Sequence, residues 1–393
     1  MVQKKLLKMR VGFVINYSHQ KWLGGFNIIA NLISAIQLLP KENIKPILIV
    51  NKKFNKKWLK DFKNIRFIKS DLFANQSLIK RIYNKISILI FGKSYEYDNF
   101  FKKNNISALS HTLIPLGKKS LIKSFPWIPD FQYIHYPENF SLKNRIMKNL
   151  NNEICAAHST KIILSSFDVK NDLKKISLKA YKKSEISSFV FDVPSKKNLL
   201  SLSKLKKKYK IRSKYFYLPN QYWIHKNHLL VLKSLKEIVK KDSSILIIST
   251  GYTDDHRSIN YFKKIKKYID DNNLNDNYIH LGVVPYKDVM SLMFHSVSLI
   301  NPSKFEGWSS SVEQAKSMGK KIILSNINVH KEQNPRRGIY FEPNNFNKLS
   351  LIMIKVWKNF SAKEENKFIN IAYKNLKKRL IKYAENYQKI ILE

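Results

Sequence analysis

Glycine, cysteine and arginine are the scarce residues of this chain. Its 393 residues include 10 glycines, where average usage of about 7% would give roughly 27. No G-x-G-x-x-G is present, so the glycine fingerprint of a dinucleotide-binding turn is excluded. A single cysteine, Cys155, excludes an internal disulfide framework and a cysteine-based zinc ribbon. Only 9 of the 72 basic residues are arginine. Readers of nucleic-acid sequence lean on arginine for bidentate base contacts, so its scarcity weakens that class. No apolar run approaches the ~18 residues of a spanning helix. The basic N-terminus (Lys4, Lys5, Lys8, Arg10) resembles a secretion signal only in charge, because Asn16 interrupts its short apolar run before any small-residue cleavage site. The expectation is a soluble protein of a reducing, cytoplasmic compartment.

What is abundant is lysine. The formal charge is +44, divided almost evenly as +23 over residues 1–190 and +21 over residues 191–393. There is thus no basic tail and no basic domain beside a neutral one. Lys, Asn, Ile, Tyr and Phe recur throughout, as an AT-rich coding sequence would produce, and that accounts for much of the charge. With 44% hydrophobic and 12% aromatic residues the chain can bury sizeable cores, unlike a disordered polycation. Two segments go beyond the background. Lys52, Lys53, Lys56, Lys57, Lys60, Lys63, Arg66 and Lys69 crowd together. Ser77–Lys93 mixes Lys80, Arg81, Lys85 and Lys93 with Leu, Ile, Tyr and Phe. The second reads equally as an interfacial helix on anionic lipid or as a core helix with a solvated basic edge.

Length alone suggests two or three domains at about 150 residues each. Short apolar runs alternate with helical patterns. Strands are expected at 10–16, 45–50, 65–70, 106–110, 131–136, 161–166 and 186–192, and helices at 25–39, about 138–156 and 167–175. A Pro/Ser/Lys break at Val193–Lys197 marks a boundary. The rhythm then restarts, with strands at 215–219, 244–250, 278–284, 297–301, 321–325 and 338–341. Helices are expected at 226–240, 256–271, 286–295, 310–318, 345–359 and about 363–391. Such alternation argues for parallel sheets wound in βαβ units, giving two doubly wound α/β domains and a cleft. Ligands of such sheets sit beyond the carboxyl ends of the strands, and eight glycines fall at strand flanks or loop openings.

Four loops could carry chemistry. In Ser18–Leu32, Gly24 and Gly25 open a helix, where backbone N–H groups can approach an anion or a sugar. In PNQYWIHKNH, Pro219–His228, Lys226 offers a cation suited to phosphate. His225 and His228 lack a third metal ligand in the motif. In NPSKFEGWSSSVEQAKSMGK, Asn301–Lys320, Ser310 and Glu313 fit an S-x-x-E capping box, and Glu306 is a loop carboxylate able to bind sugar hydroxyls. In WIPDFQYIHYPENF, Trp127–Phe140, His135 is expected to end a strand and face the cleft; a structural histidine is the plainer alternative.

These stretches, in this order, resemble glycosyltransferase family 4, the bacterial group 1 type of polysaccharide biosynthesis, over most of residues 10–360. The resemblance implies a GT-B fold: an acceptor-binding Rossmann-like domain at 1–195, a donor-binding one at 196–362, and a helix at 363–393 crossing back to the first. It implies donor contacts from Gln221, Lys226, Gly251, Val284, Glu306, Gly307, Trp308, Ser309, Ser310 and Glu313. Glu313 matches the carboxylate on the ribose, Glu306 the one facing the donor sugar, and Lys226 the lysine on the diphosphate. His135 matches the histidine near the reacting sugar, and Gly24 and Gly25 the loop near acceptor and phosphate. Two departures stand out. Six residues separate Glu306 from Glu313 where the usual motif has seven, and Gln221 stands where arginine is usual.

The implied activity is retaining transfer of a hexose from a GDP- or UDP-sugar to a glycan or lipid-linked acceptor in surface polysaccharide such as O-antigen. No cofactor or metal is implied, and no Asp-x-Asp motif is present. Expected partners are the nucleotide sugar, the acceptor and an anionic membrane surface on the inner face of the cytoplasmic membrane, with no nucleic acid. The competing classes are a basic nucleic-acid-binding protein and a non-catalytic scaffold of the same fold.

Overall fold

The computed structural model describes residues 8–15, 23–55, 62, 64–73, 76–254, 258 and 260–393. Of the basic cluster at 52–69, Lys56, Lys57, Lys60 and Lys63 lie outside the described residues, as does Ser18–Trp22 of the first loop. The chain divides into two compact units. One comprises 1–131, 141–190 and 377–393; the other comprises 132–140 and 191–376.

The first unit contains β1 (Met9–Ile15), β2 (Ile44–Val50), β3 (Arg66–Lys69), β4 (Ala108–Ser110) and β5 (Lys123–Phe125), all parallel in the order β3-β2-β1-β4-β5. A second, three-stranded parallel sheet holds β6 (Trp127–Ile128), β7 (Ile162–Leu164) and β8 (Ser184–Ile186) in the order β6-β7-β8. The apolar runs read as strands because helices cover both faces: Val11, Phe13, Ile47, Leu48 and Leu109 are fully buried. Cys155 is free and buried, and burial pushes its thiol up to about 12.

The second unit contains β9 (Phe216–Leu218), β10 (Ile247–Ser249), β11 (Tyr278–His280), β12 (Leu299–Asn301), β13 (Ile322–Ser325) and β14 (Gly338–Phe341). Their order is β11-β10-β9-β12-β13-β14. Every pairing is parallel. The winding reverses between β9 and β12, so the loops leaving these neighbouring strands diverge and open a crevice at their carboxyl ends. The core beneath includes Phe216, Val231, Leu235, Ile247, Ile300 and Ile323.

One expected strand is absent and another is displaced. Phe131–Tyr136 forms instead the four-residue helix Gln132–His135, closed by a Tyr136 N–H bond to Gln132 O at 2.9 Å and stopped by Pro137. The run 186–192 is strand only to Ile186, because β8 pairs with β7 no further. Among the described residues no helix is long and apolar enough to cross a membrane.

The last helix, Ala362–Leu392, serves both units. In the second, Glu365 meets Lys320 Nζ at 3.0 Å and Arg337 Nη2 at 2.5 Å, with Lys320 also donating to the carbonyls of Phe294 and Ser296. In the first, Gln388 Oε1 accepts from Asn43 N–H at 2.7 Å and Tyr387 packs on Phe13 and His111. The Lys320 and Glu365 side chains are only 1% and 6% exposed. Removing one partner leaves a buried charge without its counter-ion. Glu365→Ala is expected to lower stability by about 3–5 kcal/mol. Its exposed neighbour variant Glu364→Ala should cost under about 0.5 kcal/mol. Urea unfolding of the two variants checks the contrast.

Candidate active site

The site is assembled around the reversal between β9 and β12. After β9 the chain runs through Pro219–Lys226 and turns at Asn227, which has φ 58°. Asparagine tolerates this left-handed conformation better than most residues. Its amide then ties the turn down, donating to Pro302 O at 3.1 Å and Pro343 O at 2.9 Å. The loop after β12 is joined to the first by Lys304 N–H donating to His225 O at 2.8 Å. This lacing presents Lys226 to Glu306.

Lys226 Nζ stands 2.6 Å from Glu306 Oε1, with side chains 13% and 8% exposed. Ser303 Oγ donates to the same carboxylate oxygen at 2.7 Å. Burial pushes the Glu306 carboxyl up, but the Lys226 charge and hydrogen bond, with help from His330 and Ser303, outweigh it and hold the group below the ordinary glutamate range. His330 is fully buried, its Nδ1 2.8 Å from Ser325 O. Burial lowers it to about 4, opposed by the Glu306 charge, and its Nε2 has no hydrogen-bond partner among the described residues.

Beside the pair lies Gln132–Phe140, which belongs to the second unit although its flanking segments do not. His135 is exposed and rests on Phe305, the residue before Glu306, with ring centroids 4.8 Å apart. Gln132 Nε2 lies 2.7 Å from His225 Nδ1 and fastens this segment to the Lys226 loop. His135 therefore sits next to the charged pair, at the end of a short helix rather than of the expected strand.

The helix Ser310–Met318 starts at the same crevice. The expected capping box is not formed. Ser309, not Ser310, is the N-cap, and no side-chain cap bond closes it. The reason is competition: Asn301 Nδ2 donates to Ser309 Oγ at 2.8 Å, and Gln333 holds the Ser309 backbone. Glu313 instead points inward, 1% exposed, with Gln333 Nε2 at 3.4 Å and Lys316 Nζ at 3.9 Å. Gly307 is buried, and Trp308 and Ser310 are half-buried along the loop. Gly251 has φ 145°, and a Cβ there would fall 2.5 Å from Asn220 O. It thus lets the loop after β10 close on Asn220 and half-buried Gln221. Val284 is half-buried in the loop after β11.

The residues Lys226, Glu306, His135, Gly307 and Ser309 therefore gather with Glu313 on one side of the second unit. Gly24 and Gly25 belong to the first unit, in the opening turn of the helix Leu23–Ile36; Gly24 is exposed, with nothing within 4 Å of a Cβ built there. The pair His225 and His228 does not form a metal site. His225 bonds Gln132, while His228 is fully buried, stacked on Tyr222 at 4.0 Å and lowered to about 3 by burial. Ser303, Asn301, Gln333 and His330 were not singled out from sequence. Each is a common polar residue whose importance lies in the atom it faces; Asn301 ends a strand and Ser303 and His330 fall in the polar runs just after strands, but neither signal names the partner.

Residues 203–375 match the family model for glycosyl transferases group 1. No curated protein matches the chain in sequence. A glycosyltransferase from Rickettsia africae is similar over 98% of this chain and 99% of its own, at 18% identity and a TM-score of 0.66. Anabaena Alr3699/HepE, solved with UDP and glucose, is similar over 98% and 100%, at 13% identity and 0.70. WaaG, a glycosyltransferase of lipopolysaccharide biosynthesis, is similar over 95% of each chain, at 11% identity and 0.58. The fold is GT-B, and residues 203–375 of the second unit match the glycosyl transferases group 1 domain.

The ion pair has a pH signature. A carboxyl held below its ordinary value stabilises the fold above the unfolded-state range near 4.3, and that contribution disappears as pH falls through the lowered folded value. Lys226→Met strips the counter-charge from a buried carboxylate and is expected to cost about 3 kcal/mol at neutral pH. The gap to the wild type should narrow on acidification below about pH 4, as Glu306 becomes neutral. Urea midpoints measured across pH check both the size and the sign.

Proposed function

We propose that the chain transfers a hexose from a nucleoside-diphosphate sugar with retention of configuration, as a family 4 enzyme of bacterial surface-polysaccharide synthesis such as O-antigen. The observation that carries this reading is the Lys226–Glu306 pair at the carboxyl ends of β9 and β12. A lysine and a glutamate in contact are mutually neutral, and each can be exchanged for a ligand group of its partner's chemistry. A donor diphosphate takes Lys226 from Glu306, and the released carboxylate accepts hydroxyls of the donor sugar. The buried Glu313 suits the ribose hydroxyls. The UDP and glucose held by Alr3699/HepE support a donor of this kind.

In the reaction, the bond from the sugar anomeric carbon to the diphosphate oxygen breaks as the acceptor oxygen bonds to the same carbon. Lys226 and the free N–H groups of the first turn of Ser310–Met318 stabilise the negative charge developing on the leaving diphosphate. In our reading the acceptor attacks from the leaving-group face, and its proton passes to a phosphate oxygen. No side chain then needs to act as nucleophile, and no metal or other cofactor is needed. His135, exposed on Phe305, contacts the sugar, and the unpartnered Nε2 of His330 offers a further hydrogen bond. Gln221 makes the diphosphate end less positive than an arginine would.

The acceptor is a glycan or a lipid-linked saccharide. In the first unit, Gly24 and Gly25 are proposed to approach it. A crevice of about 540 Å³ beyond β2 and β3 offers Asp71, Glu96, Ser70 and Gln76 to hydroxyls. We place the enzyme in the cytoplasm, peripheral to the inner face of the membrane. Nucleotide-sugar panels with released nucleotide as readout test the donor. Lys226→Ala and Glu306→Gln are expected to lower kcat/KM by about 10²–10³, the scale of losing one charge-stabilising group, and His135→Ala to lower it as well. Full turnover in both the Lys226 and Glu306 variants removes the assignment.

A further inference from the structure

The helix Leu78–Phe91 of the first unit is built inside out. Its buried residues are polar: Asn84 and Ser87 are 2% and 3% exposed. Asn84 Nδ2 donates to Glu96 Oε2 at 2.7 Å, Ser94 Oγ donates to Asn84 Oδ1, and Ser87 Oγ donates to Lys93 O at 2.8 Å. Ser77 caps the start and Gly92, at φ 73°, closes the end. The helix is thus fastened to the protein by hydrogen bonds. Its apolar side chains face out. Leu78, Ile79, Leu89 and Ile90 are 70%, 79%, 84% and 66% exposed, and Ile82 and Ile86 are each 48% exposed.

At 100° per residue these six side chains form one stripe about 120° wide. Arg81 and Lys85 run along one edge, both exposed, while Lys80 lies on the Asn84 side with its Nζ 3.4 Å from Glu96 Oε1, and the helix has no acidic residue. Soluble monomers rarely leave so large a contiguous apolar patch in water. Fourteen residues are too few to span a bilayer, which takes about 20, but suffice for a helix lying in its surface.

We infer that this helix is the membrane-docking element, laid with its Leu/Ile stripe in the headgroup region of an anionic bilayer and its basic Arg81–Lys85 edge on the lipid phosphates. Charge selects this occupant. A second copy docking through the same face would bring the same cations against these, on a chain of net charge +44, whereas anionic lipid complements them. The inference rests on the membrane placement proposed above and not on the transferase chemistry.

Flotation of the full chain with phosphatidylglycerol/phosphatidylcholine vesicles at low salt tests it, with no donor or acceptor present. Failure here leaves the transferase reading standing, and a failed donor assay leaves this one standing. The wild type is expected to float with anionic vesicles. Ile79→Glu/Leu89→Glu should lose at least tenfold in partitioning. Arg81→Gln/Lys85→Gln should lose roughly thirtyfold, at about 1 kcal/mol of headgroup attraction per charge lost. Neither pair enters the buried Asn84–Ser94–Glu96 network, so thermal melting should be unchanged. The inference is overturned if the wild type stays off anionic vesicles or if the Ile79/Leu89 variant floats as the wild type does. It is also overturned by a dimer in sedimentation that the same variant abolishes.

Discussion

Two opposite charges held 2.6 Å apart under shallow burial require everything around them to be placed. Lys226 comes from the loop after β9 and Glu306 from the loop after β12, which are 80 residues apart in sequence. They meet because β9 and β12 are neighbours where the sheet reverses its winding. Asn227, Ser303 and the backbone bond from Lys304 to His225 then remove the freedom the loops would otherwise have. A charge pair of this kind contributes little net stability over an apolar pair of the same shape. What it does do is keep a cation and a carboxylate together, largely buried, at the carboxyl ends of β9 and β12.

The same reasoning separates the useful part of the charge from the rest. Among the described residues most of the lysines decorate exposed surface. Lys226 works because it is nearly buried beside a carboxylate, and Lys320 because it is sealed under the last helix with Glu365. Arg81 and Lys85 stand in the opposite setting: they border an exposed apolar stripe, while the helix Leu78–Phe91 turns Asn84 and Ser87 inward. Charge count describes the chain as a whole, and local burial decides what any one charge does.

Much was legible from sequence. The alternation of short apolar runs with helical patterns anticipated the six strands of the second unit and its longer helices, including 286–295, 310–318 and 338–341 to the residue, but not the short helices Leu202–Tyr209 and Asn328–Gln333. Parallel strands buried on both faces must be continuous apolar runs, and helices between them must carry a 3.6-residue stripe, so local pattern and tertiary role coincide. The failures lie where they part. Phe131–Tyr136 has the apolar content of a strand, yet it has no strand to pair with and turns into a helix that brings His135 onto Phe305. Ser310 and Glu313 have the spacing of a capping box, yet Asn301 and Gln333 claim the serine before them and Glu313 turns inward.

The sequence by itself determined the fold class, the two α/β runs and the loops in which chemistry could reside, because these follow from periodicity and from glycine and proline placement along the chain. Only the tertiary structure decided that Lys226 neutralises Glu306, that His330 lies buried close by, and that the Leu78–Phe91 helix turns its greasy face outward. Periodicity shows that a helix has an apolar stripe but not which way the stripe points. That direction is chosen by partners distant in sequence, here Glu96 and Ser94 gripping Asn84, and distance along the chain carries no record of such contacts.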